Sequence, residues 1–312
     1  MTSTARMVEI HRLAVAGREA GIARDVGDRV GRAWLARSRF PDVIRLTEQT
    51  LTLGDDATAF YHLGWAKRAT GYPMEALAAY DRALSLCRTD HDRWNEAATL
   101  SNVGLVHHGL GDRQQALDHY ERALPIQREV GDRGGEASTL NNIGGVYIES
   151  GDRRQALDYY GQALPIMREI GDRAGEATAL NNIGGVYARL GEWQQALDYF
   201  GQTLPIRREI GDRDGEAATL NNIGQVYAGL DDQQRALDYY VQALPIVREV
   251  GNRAGEAVMR YNIAMIHYRW GELDRAVAEL EQVVELDRQV GHPDLEADTA
   301  TLERVRQERA RS

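Results

Sequence analysis

The sequence has little cysteine, little lysine and no long apolar run, and each shortage excludes a class of protein. Cys87 is the only cysteine, so neither an intrachain disulfide nor a zinc site built from several cysteines can form. No stretch approaches the roughly 18 consecutive apolar residues of a membrane-spanning helix. Charged residues interrupt every apolar run near the N-terminus, which argues against a signal peptide. We therefore expect a cytoplasmic protein that does not enter a membrane.

The chain also lacks the excess of positive charge that a nucleic-acid-binding surface needs. Its formal net charge is -10 and its pI is about 5.4. Lys67 is the only lysine, and the other basic residues are arginines, a bias typical of GC-rich bacterial genomes. Nucleic acid and anionic membranes are therefore not expected partners.

Motifs of known catalytic or cofactor sites are missing as well. The sequence contains no HExxH, GxSxG, GxGxxG or P-loop motif, and its one lysine lies outside any P-loop context. His107 and His108 are adjacent, but adjacent helical side chains diverge, which argues against a metal pair. Acidic residues such as Glu136, Asp152 and Asp172 recur near helix starts, where solvated capping explains them. We expect no catalytic residues, no metal and no cofactor, and hence no enzyme.

What the chain does contain is a repeat of forty residues. Residues 131–170 and 171–210 are identical at 28 of 40 aligned positions, and residues 211–250 keep the same frame. A fixed period of this length is typical of a solenoid, in which each unit packs only on its neighbours.

Each repeat has the pattern of two helices joined by turns. Leu140, Ile143, Gly144 and Tyr147 form one apolar stripe at helical spacing. Glycine in the middle of a helix costs stability, so its recurrence predicts the close approach of another helix. The slot is filled at forty-residue intervals by Gly64, Gly104, Gly144, Gly184, Gly224 and finally Ala264.

The second helix of each repeat contains an internal proline. Asp152, followed by Gln155, resembles a capping box at its start. Proline either kinks such a helix or ends it. The kink is the favoured interpretation, and a helix end is the alternative. The prolines are Pro125, Pro165, Pro205 and Pro245.

The repeats divide the chain into four predicted segments. Residues 1–27 are expected to contain an N-terminal capping helix, over 4–22, and residues 28–56 form a degenerate repeat. Residues 57–290 contain six repeats, and residues 291–312 form a polar C-terminal capping helix.

The apolar stripe resembles that of the tetratricopeptide repeat, lengthened to forty residues. Its slots are filled by Leu140, Ile143, Gly144, Tyr147, Ala156, Tyr160 and Ala163. The spacing and the GDRxGEAxxLxNxG phrase are similar to kinesin light chains, Leu-Gly-Asn repeat proteins and bacterial arrays, over residues 28–290. The resemblance implies an all-α fold, a right-handed α-solenoid of antiparallel helix pairs. It also implies a concave groove, lined by the first helix of each pair, that binds an extended peptide.

In the resembled families, an asparagine beside the stripe contacts the backbone of the bound peptide. Two neighbouring slots here recur as asparagine, and we call these residues the asparagine ladder: Asn102, Asn141, Asn142, Asn181, Asn182, Asn221, Asn222 and Asn262. An amide can form hydrogen bonds with the N–H and C=O groups of a peptide backbone without contacting the side chains of the peptide. The alternative is that some of the ladder bonds to the next repeat and holds the stack.

Specificity is expected from the slots that vary between repeats. Aromatic and apolar anchors occupy both ends, with polar or charged side chains between them. These positions are Tyr61, Trp65, Glu149, Arg189, Gln225, Tyr261, Met265 and Arg269.

The sequence as a whole favours a non-catalytic interaction scaffold that binds a protein or peptide segment. Two alternatives stay open: the sensor module of a larger bacterial signalling ATPase or protease system, and a self-associating array that forms homo-oligomers.

Overall fold

The computed structural model describes residues 3–311, which form sixteen α-helices and no β-strand. The expected all-α fold of paired helices is confirmed. None of the described helices is long and apolar enough to cross a membrane.

The chain divides into two compact units, Met1–Ile166 and Met167–Ser312. The first nine helices are α1 Ser3–Ala16, α2 Ala20–Leu35, α3 Phe40–Leu51, α4 Ala57–Ala69, α5 Pro73–Thr89, α6 Arg93–Gly109, α7 Arg113–Val130, α8 Arg133–Glu149 and α9 Arg153–Glu169. The remaining seven are α10 Arg173–Leu190, α11 Trp193–Glu209, α12 Arg213–Gly229, α13 Gln233–Glu249, α14 Arg253–Arg269, α15 Leu273–Val290 and α16 Leu295–Arg309.

The helix expected over residues 4–22 is interrupted. It ends at Ala16, and α2 begins at Ala20. Arg18, between them, has a φ of 57°, a left-handed conformation that an α-helix does not contain. The prediction of one continuous helix was therefore wrong.

The recurrent mid-helix glycine allows an aromatic ring of the second helix to lie against the first helix. A Cβ placed on Gly144 would lie 2.6 Å from Cε1 of Tyr160. The same arrangement pairs Gly224 with Tyr240, at 2.5 Å. The predicted close approach is confirmed. Ala264 ends the glycine series where the residue corresponding to Tyr240 is the smaller Leu280.

The second helices continue through their internal prolines. Pro125 lies inside α7, which extends to Val130, and Pro245 lies inside α13, which extends to Glu249. The alternative interpretation, a helix that ends at each proline, was therefore wrong.

Aspartates cap the helices as the sequence predicts. Asp152 Oδ1 accepts a hydrogen bond from the backbone N–H of Gln155 at 3.1 Å, and Asp172 Oδ1 accepts one from Gly175 at 2.9 Å. Such a cap satisfies an N–H group that has no partner within the helix.

The sequence suggested that the glutamate near the start of a first helix is solvated, and this was wrong for Glu136. Glu136 is 4% exposed and is bound by two arginines. Arg128, from the end of α7, donates from Nε at 2.7 Å, and Arg133 donates from the opposite side. The carboxylate therefore joins the second helix of one repeat to the first helix of the next. Arg208 and Arg213 bind Glu216 in the same way in the second unit.

Candidate functional site

The predicted binding residues lie on the first helices of the pairs, and each unit carries its own set. In the first unit Tyr61 and Trp65 are half-buried on α4, and their rings meet edge to face with centroids 6.2 Å apart. Asn102 Nδ2 donates to the Tyr61 hydroxyl at 3.1 Å and to the backbone carbonyl of Ala98 at 3.0 Å. Tyr61 therefore contacts both Trp65 and Asn102, which is the first member of the asparagine ladder.

In the second unit, members of the ladder bond directly to one another. Asn222 Nδ2 donates to Asn181 Oδ1 at 3.1 Å, and Asn262 Nδ2 donates to Asn221 Oδ1 at 3.0 Å. In each pair the donor lies in the second slot of one repeat and the acceptor in the first slot of the preceding repeat. These bonds connect neighbouring first helices.

The hydrogen bonds between repeats use only some of the donors and acceptors of each amide. An asparagine offers two N–H donors and one acceptor oxygen. One donor of Asn222 is used, and its Oδ1 has no hydrogen-bond partner among the residues that the structure describes. The half-buried amides are thus held in fixed orientations while part of their hydrogen-bonding capacity is unused.

Asn142 differs from the donors of the second unit. The acceptor slot of the preceding repeat is Ser101, whose hydroxyl is 2.9 Å from Thr139 Oγ1 and accepts a hydrogen bond from Gln127 Nε2 at 3.1 Å. Across the described part of the chain, Asn142 has no side-chain hydrogen bond. Sequence reasoning did not single out Gln127, because only its contacts distinguish it from a surface glutamine.

The variable positions fall into exposed and packed groups. Arg189, Gln225 and Arg269 are exposed. Glu149 is also exposed, and its Oε1 lies 3.0 Å from His108 Nε2. The charged side chains are therefore accessible to a ligand.

The apolar end of the second unit is only partly accessible. Tyr261 and Met265 are half-buried and pack against a cluster that includes Leu302 and Val305 of α16. The C-terminal helix therefore covers one side of these two predicted anchors.

The histidines have structural contacts. His107 stacks on His119 with ring centroids 5.5 Å apart, as Tyr147 does on Tyr159 one repeat later. His267 Nδ1 lies 2.7 Å from Glu272 Oε2. Within residues 3–311, no group of three or more potential ligands could hold a metal ion.

Two family models match the chain, and both are described as tetratricopeptide repeat. One matches residues 95–169 and 175–249, and the other matches residues 57–90 and 257–290, together more than half of the chain. The chain belongs to the tetratricopeptide repeat family. The resemblance of the repeat pattern to this family is thereby confirmed. No curated protein matches the sequence.

Solved structures with a similar fold include a signal transduction ATPase and a quorum sensor. The tetratricopeptide repeat sensor protein PH0952 of Pyrococcus horikoshii, a signal transduction ATPase with numerous domains, matches 92% of this chain with a TM-score of 0.74 and 16% identity. The chain spans 44% of the length of that protein. The apo quorum sensor NprR of B. thuringiensis matches 91% of this chain and 82% of its own, with a TM-score of 0.74 and 16% identity.

A third similar structure is named as a kinesin light chain, one of the proteins that the repeat pattern resembles. It is a putative kinesin light chain from Podosopora anserina with nearly identical repeats, and the match covers 62% of this chain and 95% of that one. Its TM-score is 0.52 and its identity 14%. At these identities the likeness concerns the fold alone.

Proposed function

We propose that this tetratricopeptide repeat protein is a non-catalytic interaction module that binds an extended segment of a protein or peptide. The ligand lies along the first helices, where the asparagine ladder contacts its backbone. The observation that carries this proposal is the pairing of Asn222 with Asn181 and of Asn262 with Asn221. These bonds fix the amides before a ligand arrives, and pre-organised groups lose less entropy on binding.

The side chains around the ladder provide the selectivity. The helices that carry the ladder also carry exposed charges of both signs, among them Glu149 on α8 and Arg189 on α10. Tyr61 and Trp65 in the first unit, and Tyr261 and Met265 in the second, offer half-buried aromatic and apolar surface. Such residues are frequent energetic anchors in protein interfaces. We expect the segment bound by each unit to be polar and extended, with an apolar residue that meets the aromatic or apolar surface of that unit.

A second candidate function is a sensor module that acts with a signalling ATPase. The similarity to the repeat sensor of the Pyrococcus horikoshii ATPase favours it. Quorum sensing, the role named for the similar protein NprR, belongs to the same class of regulatory function. In both candidates the repeat surface is the part that recognises the ligand.

An affinity capture from a bacterial lysate tests the proposal. Wild type is compared with a variant in which Asn142, Asn182 and Asn222 are all changed to Ala. We expect a protein that the wild type retains and the variant loses. Equal captures would contradict the proposal. Recovery of only the chain itself would favour the self-associating array.

A further inference from the structure

A cavity of about 330 Å³ lies at the C-terminal end of the second unit. Tyr261 of α14 forms part of its wall, and α14 also contributes apolar side chains. Three aspartates form much of the rest of the wall: Asp287 comes from α15, Asp294 from the connection that follows, and Asp298 from α16. His292 and Ala297 complete it. The volume is near the lower end of the range of about 300–1,000 Å³ that is usual for ligand pockets.

The carboxylate of Asp287 is buried, and the imidazole of His292 lies 4.0 Å from its Oδ1. The side chain of Asp287 is 1% exposed, and Oδ2 has no hydrogen-bond partner among the described residues. Burying an ionised carboxylate is costly unless it is paired. Because native proteins pair nearly all such groups, a buried carboxylate oxygen that lines a cavity and has no donor calls for an explanation.

The same slot of other repeats shows how polar side chains are normally accommodated there. Gln127 Nε2 donates to Thr139 Oγ1 at 3.0 Å, and Arg207 Nη2 donates to Thr178 Oγ1 at 3.1 Å. Gln127 leaves its own Oε1 unpaired, but a neutral amide oxygen costs far less to bury than a carboxylate oxygen. Asp287 is therefore an exception within the repeat pattern.

A second carboxyl group faces Asp287. Burial, together with a hydrogen bond and the negative charge of Asp287, raises the pKa of Asp298 to about 6. The two carboxyl groups therefore face each other in the wall of the cavity. At lower pH, a proton retained on Asp298 can bridge them.

The neighbouring histidine lies beside this pair without a hydrogen bond to Asp287. His292 Nδ1 accepts a hydrogen bond from the backbone N–H of Asp294 at 3.2 Å, so in this arrangement Nδ1 carries no proton that it could donate to Asp287. Its distance of 4.0 Å from Asp287 Oδ1 is also too long for a hydrogen bond. The titratable groups that line the cavity are thus three aspartates, one histidine and Tyr261.

We propose that this cavity binds a cationic side chain, most suitably the guanidinium group of an arginine, supplied by the peptide partner. A planar guanidinium can donate parallel hydrogen bonds to a carboxylate such as that of Asp298. Its charge also offsets that of the buried Asp287. The ring of Tyr261 can lie against the cation, an arrangement that adds attraction.

The position of the cavity connects it with the asparagine ladder. Tyr261 occupies the slot that is Asn221 one repeat earlier, and its neighbour Asn262 bonds to Asn221 at 3.0 Å. A segment that follows the ladder through the second unit therefore reaches the cavity. This inference rests on the proposed function, which identifies the ligand as a peptide. It adds that the peptide contains a basic residue that enters the cavity.

The test uses two blocked tripeptides that differ only in charge. The full chain is titrated with acetyl-Gly-Arg-Gly-amide and with the analogue that contains uncharged citrulline, and binding is followed by ligand-observed NMR. We expect the wild type to bind the arginine peptide at least about tenfold more tightly than the citrulline peptide. Asp298→Asn should remove this preference. Glu296→Gln is the matched control, because Glu296 is an exposed acidic residue of α16 outside the cavity.

Asp287→Asn provides a second variant with a separate readout. It should also lose the preference for arginine, while its thermal midpoint stays unchanged or rises, because a buried carboxyl group that faces Asp298 has been replaced by a neutral amide. A wild type without preference for arginine, or a preference that Asp298→Asn keeps, would overturn the inference. Binding of MgCl2 or CaCl2 in competition with the peptide would assign the cavity to metal ions and would overturn it too.

The variant that lacks Asn142, Asn182 and Asn222 separates this inference from the proposed function. A tripeptide is too short to follow the ladder, so this variant should still prefer arginine. If the preference disappears there, the tripeptide binds along the ladder and the inference about the cavity is wrong. If the wild type does not prefer the arginine tripeptide but captures its partner through the ladder, the inference about the cavity is wrong and the proposed function still holds.

Discussion

Asn222 donates a hydrogen bond from Nδ2 to Oδ1 of Asn181 at 3.1 Å, which links the first helices of two successive repeats. The same bond joins Asn262 to Asn221 one repeat later. The ladder in the second unit therefore has a structural role whatever else it binds. Stability and ligand binding are expected to depend on the same side chains there.

The first prediction separates these two roles by comparing two members of the ladder. Asn222→Ala should lower the free energy of unfolding by about 0.5–1.5 kcal/mol, the net value of one hydrogen bond. Asn142→Ala should cost less, because Asn142 has no side-chain hydrogen bond within residues 3–311. Urea unfolding of both variants measures the difference. Equal losses would show that the bond to Asn181 does not contribute.

The second prediction concerns the contact between Gly144 and Tyr160. Gly144→Ala should lower stability by about 1–3 kcal/mol, because the new methyl group overlaps the ring. Gly161→Ala is the matched control, since no neighbouring atom lies within 4 Å of a Cβ placed there. That control should gain up to about 1 kcal/mol from the better helix propensity of alanine.

The contact also predicts a rescue. Adding Tyr160→Leu to Gly144→Ala reproduces the combination found at Ala264 and Leu280. The double variant should be more stable than the sum of the two single changes predicts, which thermal unfolding can establish. Strict additivity would mean that the ring and the glycine do not interact.

The third prediction is a dependence of stability on pH. Burial of Glu176 opposes its ionisation, but hydrogen bonds from Arg168 and Arg173 outweigh this, so the pKa of its carboxyl lies below the ordinary value of 4.5. A lowered pKa in the folded state contributes stability above the unfolded value, and this contribution is lost as the pH falls through the folded value. We therefore expect stability to fall as the pH drops below 4.5.

Substitution of Glu176 tests whether its carboxylate causes this dependence of stability on pH. Glu176→Gln should cost about 1–3 kcal/mol at neutral pH and should reduce the slope of stability against pH in the acidic range. Glu209→Gln is the control, because Glu209 is an exposed partner of Arg173 and an exposed ion pair contributes at most about 1 kcal/mol. A slope that Glu176→Gln leaves unchanged would locate the pH dependence elsewhere.

The fourth prediction uses a departure from the repeat in a turn. Asp231 has a φ of 59° in a slot that is glycine in five other repeats, among them Gly151 and Gly191. Left-handed backbone costs a residue with a side chain about 1–2 kcal/mol, and the greater freedom of glycine in the unfolded chain offsets part of this. Asp231→Gly should therefore raise the thermal midpoint slightly. A clear decrease would show that the hydrogen bond from Gln233 to Asp231 outweighs the strain.

The repeat architecture could be predicted from the sequence because its signals recur. A glycine slot repeated every forty residues identifies a close helix contact that a single glycine would not. The interruption of the N-terminal helix at Arg18 belongs to no repeat, so no second copy was present to correct the prediction.

Contacts between repeats were harder to predict than the helices themselves. Glu136 lies near a helix start, where a solvated carboxylate is also favourable. Only its burial and its bonds to Arg128 and Arg133 distinguish the two possibilities. The asparagines presented the same difficulty, because an amide beside the core stripe can reach either a ligand or the next helix. The distance between successive first helices decides this, and a sequence does not contain that distance.

The most direct test of the proposed binding surface is the affinity of a peptide selected on the wild type from a random display library. Its dissociation constant is measured by calorimetry for wild type, for the variant lacking Asn142, Asn182 and Asn222, and for Gly144→Ala as a destabilised control. We predict that the triple variant weakens binding by at least about tenfold, which corresponds to about 1.4 kcal/mol, while the control binds as the wild type does. Equal affinity of the triple variant and wild type would contradict the account.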